Sequence, residues 1–321
     1  MMTLNERFEG IVLFQRPYKE DDALVKIFTD RFGTKMFYLK HVKQGKHPLA
    51  SHIIPLTCHR YIGRIQDQGL SFLREGEALD YFKHNQEDFL RQAYAAYLGQ
   101  LIDASIDDNQ VDLDLYKLLK LSLSLLDQGK SPEIICHSVQ LALLDRFGVA
   151  LNFRACSVCG SLDGPFDFSF RHQGILCHHH YDYDPYRLHL SPRAVEVARR
   201  LSAIDLSLLG EVRVSRETLA ELKRLMDEIY QEYVGIRLRA KSYLDQVSDM
   251  DQVAQVLAGK RQNSQDNSKG FDWLWRGLWL QYQYLLSVNG RQFSEPRWVE
   301  ARSNVEGSLS RFFLMKSANE S

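Results

Sequence analysis

The alternation of hydrophobic and polar positions changes near residue 82 of this sequence. Before that point, runs rich in β-branched and aromatic residues are separated by turn signals, which is the pattern of short strands. The runs cover residues 8–14, 23–29, 35–40, 53–62 and 70–73. Strands of this number and length within residues 1–82 predict a small β-barrel such as the OB-fold, with a generic meander as the alternative.

From residue 86 onward, apolar residues recur at steps of three and four, which is the period of a helix with one buried face. The pattern predicts helices over residues 86–102, 115–129, 132–148, 192–201 and 215–233. Ser131 and Ser191 each precede a proline, as an N-cap precedes the first helical residue, and Gly148 stands where the third helix should end. The sequence therefore predicts an α+β protein in which a mostly α-helical domain, residues 83–245, follows the barrel.

The C-terminal part of the chain changes composition twice. Residues 246–270 are polar and are predicted to be a flexible linker. All four tryptophans then fall within 26 residues, at Trp273, Trp275, Trp279 and Trp298. We predict an additional helical tail here, a Trp-rich hairpin over residues 271–316 whose aromatic side chains form a core or a docking face.

A cluster of cysteine and histidine residues follows the third predicted helix. Cys156 and Cys159 form a Cys-x-x-Cys turn, and Cys177 and His180 form a Cys-x-x-His turn after an interval of 17 residues. Two such turns bring thiolate and imidazole ligands onto one ion, and four ligands of these types suit tetrahedral Zn²⁺. We therefore predict an inserted zinc-ribbon-like module over residues 153–182, with these four residues as the metal ligands.

The fourth ligand is open at this stage, because His172, His178 and His179 lie close enough in sequence to compete with His180. The simpler alternative for the whole cluster is that its cysteines are small buried core residues.

A zinc ion in this module is expected to be structural, because four protein ligands leave no open position for a substrate. A zinc-dependent hydrolase acting on nucleic acid would also need a carboxylate beside the metal. Asp163 and Asp167 are the candidates, and both are more simply explained as loop residues.

Composition adds the class of protein. The chain has 321 residues, of which 45% are hydrophobic and 25% charged, as in soluble globular proteins. Five cysteines, three of them in the predicted metal site, fit a reducing cytosol better than a disulfide framework. Residues 1–5 lack a signal-peptide pattern, and no apolar run approaches the roughly 20 residues that span a bilayer. We expect a cytoplasmic protein without membrane contact.

The overall net charge of −1 does not indicate a partner, but one segment of the predicted barrel is strongly basic. Residues 31–66 contain no Asp or Glu and seven basic residues: Arg31, Lys35, Lys40, Lys43, Lys46, Arg60 and Arg64. Such a segment on a barrel predicts a positive surface for a nucleic-acid backbone. Phe37, Tyr38 and Tyr61 are interleaved and are candidates for stacking on bases, although strand alternation must turn Phe37 or Tyr38 inward.

Two other interpretations of this basic segment stay open. In the first, its lysines merely solubilise a sheet edge while the aromatic residues fill the core. The segment would also suit a protein-interaction scaffold, containing zinc, whose basic barrel binds the acidic tail of a partner.

Several stretches together resemble the RecO family of bacterial recombination mediators, over about residues 8 to 244. They are Gly10-Ile11-Val12-Leu13, Tyr18-Lys19-Glu20-Asp21-Asp22, Lys26-Ile27-Phe28-Thr29, the run from Phe147 to Phe153 leading into Cys156, Gly174-Ile175-Leu176-Cys177, and Tyr230 to Ile236. His180 stands where many relatives have a fourth cysteine, a substitution that zinc tolerates. The tail beyond Gln246 is not part of the family pattern.

The resemblance implies a function without bond chemistry. It implies an N-terminal OB-fold that binds single- and double-stranded DNA and the partner RecR, and a helical domain that contacts the C-terminal tail of single-strand DNA-binding protein. It also implies annealing of complementary strands and assistance to RecA in replacing single-strand DNA-binding protein, in a cytoplasmic, nucleoid-associated setting. Carried over by position, the seven basic residues of the 31–64 segment become the candidate DNA contacts.

Overall fold

Five antiparallel strands form the N-terminal part of the computed structural model, which describes residues 5–42 and 47–261, with side chains as far as residue 251. They are β1 (Glu6–Tyr18), β2 (Asp22–Thr29), β3 (Gly33–Leu39), β4 (Cys58–Arg64) and β5 (Phe72–Asp80). Their order in the sheet is β3-β2-β1-β4-β5. A short 3-10 helix, Ala50–His52, lies between β3 and β4.

The sheet closes on itself between β3 and β5. Phe37 and Ser71 form a parallel bridge, in which the Tyr38 amide donates to the Ser71 carbonyl at 2.9 Å and the Ser71 amide donates to the Met36 carbonyl at 2.8 Å. Inside the closed sheet, Phe8 stacks on Phe37 and packs against Tyr61. A closed barrel of five strands in this order confirms the predicted OB-fold.

The strand predictions fail at two places. Residues 53–57 are not part of β4, because Pro55 cannot donate a ladder hydrogen bond and Leu56 has φ of 61°, which bends the chain into a turn. In the opposite direction, β5 continues to Asp80, well beyond the predicted end at residue 73. Its exposed polar residues pair with β4 by backbone hydrogen bonds that hydrophobic alternation does not reveal.

Seven α-helices follow in the described part of the chain: α1 (Lys83–Glu87), α2 (Phe89–Ala104), α3 (Leu113–Asp127), α4 (Pro132–Leu143), α5 (Pro192–Ala203), α6 (Arg216–Ile229) and α7 (Arg239–Arg261). The predicted caps are confirmed: the hydroxyl of Ser131 accepts from the Ile134 amide and that of Ser191 from the Ala194 amide. Gly148 has φ of 74° and ends the turn after α4, a conformation that favours glycine. Within the described residues, no helix is both long and apolar enough to cross a membrane.

The barrel and the helices share a core. The outward-facing residues Ile11, Phe28 and Cys58 of the barrel belong to the same buried cluster as the apolar faces of α2, α3 and α4. Ion pairs flank this seam. Lys26 of β2 lies 2.7 Å from Asp103, in the last turn of α2, and 2.8 Å from Asp108, in the loop that follows.

The predicted linker at residues 246–270 differs from the structure over its first part, because α7 runs unbroken to Arg261. Ala240 and Leu244, one turn apart, are buried in the helical core, and the α7 side chain Lys241 bonds to Asp227 of α6 and to Asp245. This packing extends the helix into a polar stretch that has little apolar content of its own. The rest of the linker, from residue 262, and the predicted hairpin at residues 271–316 lie outside the described residues.

Candidate metal centre and nucleic-acid interface

The predicted metal module lies between α4 and α5. It contains a tight turn from Cys156 to Gly160, closed by the Gly160 amide donating to the Cys156 carbonyl at 2.8 Å, and a hairpin of β6 (Phe166–Ser169) and β7 (Gly174–Cys177). The turn is fastened to the hairpin because the Ser157 amide donates to the Ile175 carbonyl at 2.8 Å. Cys177 is the last residue of β7, so the hairpin places Cys177 and His180 beside Cys156 and Cys159.

Four donor atoms meet at this point. The Sγ atoms of Cys159 and Cys177 are 3.8 Å apart, and His180 Nδ1 lies 3.7 Å from Cys156 Sγ and 3.2 Å from Cys177 Sγ. All four donor atoms lie within 4.8 Å of one another. Ligands about 2.3 Å from a tetrahedral zinc ion are separated by about 3.8 Å, so the donor set fits such an ion in both type and spacing.

The structure distinguishes His180 from the competing histidines. His178 and His179 are exposed and their rings lie against each other, with centroids 3.8 Å apart. The ring of His172 lies beside Tyr183 at a centroid distance of 6.4 Å. Among the described residues, the cluster that can hold a metal consists of Cys156, Cys159, Cys177 and His180.

The turn prepares one thiol for metal binding. Burial acts to raise the pKa of Cys156, but the backbone N–H groups of Cys177, Cys159 and Val158 outweigh it and lower the pKa to about 6. Burial and the neighbouring Cys156 raise the pKa of Cys177. One thiol of the cluster is therefore stabilised as the thiolate, the form that binds metal ions, by the local backbone.

The two carboxylates considered as partners of a catalytic metal, Asp167 and Asp163, lie in different surroundings. Asp167 is buried, accepts hydrogen bonds from the amides of His189 at 2.9 Å and Leu190 at 3.0 Å, and lies 3.1 Å from Arg187. Asp163 is exposed in the loop before β6. Asp167 thus holds together the segment that leads into α5.

The residues of the basic segment differ in their surroundings, and several of them are paired or buried within the protein. Arg31 lies 3.6 Å from Glu6, and Arg60 lies 3.0 Å from Glu9 and 3.1 Å from Glu77. Lys35 is only 6% exposed, and its ammonium donates to the Gln66 carbonyl at 2.9 Å. Burial lowers the pKa of Lys35. Three of the predicted contacts are therefore engaged within the protein, with acidic or carbonyl partners that lie outside residues 31–64.

Two of the predicted contacts are exposed, and the fold adds two more. Lys40 and Arg64 face the solvent, and so do Arg16 and Lys19, which the sequence-based prediction missed. Within the residues that the structure describes, none of these four takes part in an ion pair. We call Arg16, Lys19, Lys40 and Arg64 the basic face. Lys43 and Lys46 lie outside the described residues.

A row of aromatic rings crosses the basic face. Tyr38 contacts Tyr18 at a centroid distance of 5.9 Å and Phe72 at 6.2 Å, in both cases edge to face. We call these three residues the aromatic row. Of the aromatic residues predicted to stack on bases, Tyr38 lies on the surface in this row, whereas Phe37 and Tyr61 are completely buried inside the barrel.

Strand register explains how the row and the basic face come together. Arg16 of β1 is aligned with Leu24 of β2, and Leu24 with Tyr38 of β3. Arg64 of β4 pairs directly with Phe72 of β5. The outer surface of β2 and β3, together with the loops between β1 and β2 and between β4 and β5, is the surface by which OB-folds bind oligonucleotides and oligosaccharides.

Sequence reasoning had a signal for Tyr38 alone. Its neighbour Phe37 is buried, so alternation turns Tyr38 outward. Tyr18 and Phe72 lie far from Tyr38 in sequence. The pairing of β1 with β2 and of β2 with β3 brings Tyr18 to this surface, and the bridge between β3 and Ser71 brings Phe72 there.

Comparison with known families gives two adjoining matches. The family model described as Recombination protein O N terminal matches residues 2–82. The one described as Recombination protein O C terminal matches residues 86–242.

Three relatives, each named DNA repair protein RecO, illustrate the similarity. The chain is 40% identical to the protein of Lactiplantibacillus plantarum over 240 residues, which are 75% of this chain and 93% of that protein. It is 36% identical to that of Enterococcus faecalis over 261 residues, 81% of this chain and 99% of the relative. It is 41% identical to that of Lactococcus lactis subsp. cremoris over 240 residues, 75% of this chain and 95% of the relative.

Proposed function

The chain belongs to the RecO family of DNA repair proteins, and on this basis we propose that it is a non-enzymatic mediator of DNA repair and recombination. In this proposal it binds single- and double-stranded DNA, anneals complementary strands, and assists the loading of RecA, together with RecR, on DNA coated by single-strand DNA-binding protein. The activity would take place in the cytoplasm at the nucleoid. The observation that carries the proposal is the basic face on the ligand-binding surface of an OB barrel.

Annealing would follow from charge neutralisation. Two DNA strands repel each other, and a surface whose cations are not used by internal acidic groups can neutralise phosphates on both. Lys40 and Arg64 are such cations, and Arg16 and Lys19 enlarge the set. Lys43 and Lys46 stay in the proposal as sequence-based candidates. Lys35, Arg31 and Arg60 become weaker candidates, because their charges already have partners or are buried.

The test is the double charge reversal Lys40→Glu with Arg64→Glu, measured by annealing of complementary strands and by salt-dependent binding of single-stranded DNA. We expect annealing to slow about tenfold or more, and the slope of log affinity against log salt to fall by about 1.4, since each phosphate contact to a single strand contributes about 0.7. Lys117→Glu on α3 is the matched control, because this lysine is exposed and lies outside the basic face. Unchanged annealing and an unchanged salt slope in the double variant would refute the proposal.

A cavity of about 330 Å³ in the helical domain supports a second part of the proposal, which is contact with the acidic C-terminal tail of single-strand DNA-binding protein. The cavity combines the apolar side chains of Ile134 and Leu209 with the basic side chain of Lys130, whereas Arg213 in the same lining lies 3.5 Å from Glu211. Such a lining suits a short peptide that carries both acidic and apolar groups. Binding of a labelled tail peptide should weaken at least fivefold in Lys130→Glu and stay unchanged in Lys40→Glu.

The scaffold hypothesis makes a different prediction for the same proteins. If the basic face served an acidic protein tail in place of DNA, the tail peptide and an oligonucleotide would compete, and Lys40→Glu would weaken both. We expect no competition, because the tail peptide would bind in the cavity lined by Lys130 and the oligonucleotide on the basic face, and the two share no residue.

We also propose that the metal is Zn²⁺ and that its role is structural. Cys156 and Cys159 would hold it from the turn, and Cys177 and His180 from the end of the hairpin. The ion would supply four bonds that fix these two segments against each other. The engagement of Asp167 with backbone amides and Arg187 favours this role over metal-dependent hydrolysis, which needs a free carboxylate near an open position.

A further inference from the structure

All three adjoining rings of the aromatic row are accessible to solvent. Tyr18 is 39% and Phe72 is 40% exposed, and Tyr38 between them is half-buried. Apolar groups that are clustered on a surface commonly mark a binding site, whereas single exposed apolar residues do not. The row therefore calls for a ligand that covers it.

The surroundings of the row define the chemistry of that ligand. Lys19 has its ammonium 5.5 Å from the centre of the Tyr18 ring, and Arg64 is the cross-strand partner of Phe72. Lys40 follows Tyr38 by two residues on the same outer surface. A ligand that covers the row while satisfying these cations must present flat apolar groups along a polyanionic backbone. Single-stranded DNA has this chemistry, whereas in duplex DNA the faces of the bases are already covered by their neighbours.

One ring of the row is held in place from below. The Tyr38 hydroxyl donates to the Asp22 carboxylate, and the other oxygen of that carboxylate accepts from the His41 amide at 3.0 Å. Asp22 is itself 7% exposed, so it fixes the central ring from the first residue of β2. A ring held in one orientation loses little conformational entropy when a base stacks on it.

We infer that the aromatic row stacks on unpaired bases and thereby gives the basic face a preference for single-stranded DNA over duplex DNA. This inference rests on the proposed function, since it assigns a second kind of contact to the same surface. The basic face supplies affinity for any DNA backbone, and the row supplies discrimination between open and paired strands.

The experiment compares three DNA ligands at one salt concentration, by fluorescence anisotropy with the full chain. The ligands are a thymidine strand of about 20 nucleotides, an abasic strand of the same length and a duplex. We expect the wild-type protein to bind the thymidine strand at least fivefold more tightly than the abasic strand. Tyr38→Leu should lose roughly five- to a hundredfold in affinity for the thymidine strand and change little with the abasic strand, because each stacked base is worth about 1–3 kcal/mol.

Three further variants test the assignment. Tyr38→Phe keeps the ring and should retain most of the affinity for the thymidine strand. Phe72→Leu should lose affinity for that strand alone, whereas Phe89→Leu is the matched control at a phenylalanine of α2 that is 56% exposed and lies outside the row. Circular dichroism and thermal melting verify that each variant is folded. If Tyr38→Leu is not folded, Phe72→Leu decides the matter.

Two outcomes would overturn the inference. One is equal wild-type affinity for the thymidine and abasic strands, and the other is a row variant that weakens both strands equally. In either case binding that depends on salt and on Lys40 and Arg64 would leave the proposed function standing. A chain that binds none of the three ligands would overturn the inference and the proposed function together.

Discussion

The metal cluster and the basic face are assembled in opposite ways. All ligands of the cluster lie between Cys156 and His180, on two turns that a single hairpin brings together. The basic face collects Arg16, Lys19, Lys40 and Arg64 from separate strands and loops, and strand register decides which of them are neighbours. Residues that are close in sequence thus also converge in space when the geometry that joins them is local. Closeness in sequence does not predict a common surface within a strand, because alternate residues of a strand point to opposite sides.

The largest expected effect is on the metal cluster. Removing a ligand by Cys177→Ser should abolish stoichiometric zinc and lower the free energy of unfolding by about 3 kcal/mol or more, because a structural metal site contributes its binding energy to folding. Metal content and urea unfolding measure the two effects. DNA affinity of the folded protein at low temperature should change less than twofold, because the basic face contains no part of the module.

His179→Ala is the matched control for the metal cluster, since this histidine is exposed beside the ligands but outside the donor set. It should retain zinc and wild-type stability. A Cys177→Ser protein that is metal-free and as stable as the wild type would contradict a structural role.

A second prediction concerns the effect of pH on stability through His59, a buried histidine of the barrel. His59 is completely buried, and because the Thr57 hydroxyl donates to the Ile54 carbonyl, the imidazole donates to that hydroxyl from Nε2 at 2.7 Å. Among the residues that the structure describes, Nδ1 has no hydrogen-bond partner. Burial, assisted by the neighbouring His52, lowers the pKa of His59 to about 4. Protonation therefore requires a buried charge that no described residue around the ring compensates.

The sign of the effect follows from linkage. The unfolded state takes up the proton near pH 6.5 and the folded state near pH 4, so the contribution of His59 to stability is complete above the first value and is lost as pH falls toward the second. Between pH 7 and pH 5 the wild type should lose about 2 kcal/mol more than His59→Phe, as measured by denaturant unfolding. Parallel pH profiles of the two proteins would show that His59 is not the group responsible.

A third and smaller effect is expected at the seam between barrel and helices. Lys26→Met should lower stability by about 1.5 kcal/mol, because it leaves the partly buried Asp103 without its cation. Lys117→Met is the control: its pair with Asp114 is long, at 3.9 Å, and exposed on both sides, and should contribute less than about 0.5 kcal/mol. Equal losses in the two variants would argue against an ion-pair contribution to the seam.

The smallest predicted effect is a difference in DNA binding between variants of two arginines of β4. Arg64→Gln should weaken binding of single-stranded DNA about threefold in moderate salt, since one phosphate contact is lost. Arg60→Gln should change it less than about 1.5-fold, because Glu9 and Glu77 already use its charge. The same anisotropy assay measures both variants. A larger effect at Arg60 than at Arg64 would mean that the ion pairs open when DNA binds, and would reverse the division of the basic segment described above.

The particular residues explain how far the sequence could predict this protein. Caps such as Ser131 and Ser191 were predictable because their partners lie three residues away. The convergence of Cys156, Cys159, Cys177 and His180 was predictable because their spacing suits a known coordination geometry. The ion pairing of Arg60 was not predictable, because its partner Glu9 lies 51 residues away in the chain. The continuation of α7 through Arg261 was missed for a similar reason, since the burial of Ala240 and Leu244 by other helices stabilises it.

The closure of the barrel has a kinetic consequence. In the described part of the structure, only two backbone hydrogen bonds join β3 to Ser71, the residue before β5. The adjoining loop is fastened because the Lys35 ammonium donates to the Gln66 carbonyl and the Gln66 amide donates to the Ser71 hydroxyl. A join held by so few bonds opens more readily than the long ladders elsewhere in the sheet. The amide protons of Tyr38 and Ser71 should therefore exchange with deuterium faster than those of the β1 and β2 ladder. Single-stranded DNA bound across Tyr38 and Phe72 would span the contact between β3 and β5 and slow the exchange of both amide protons.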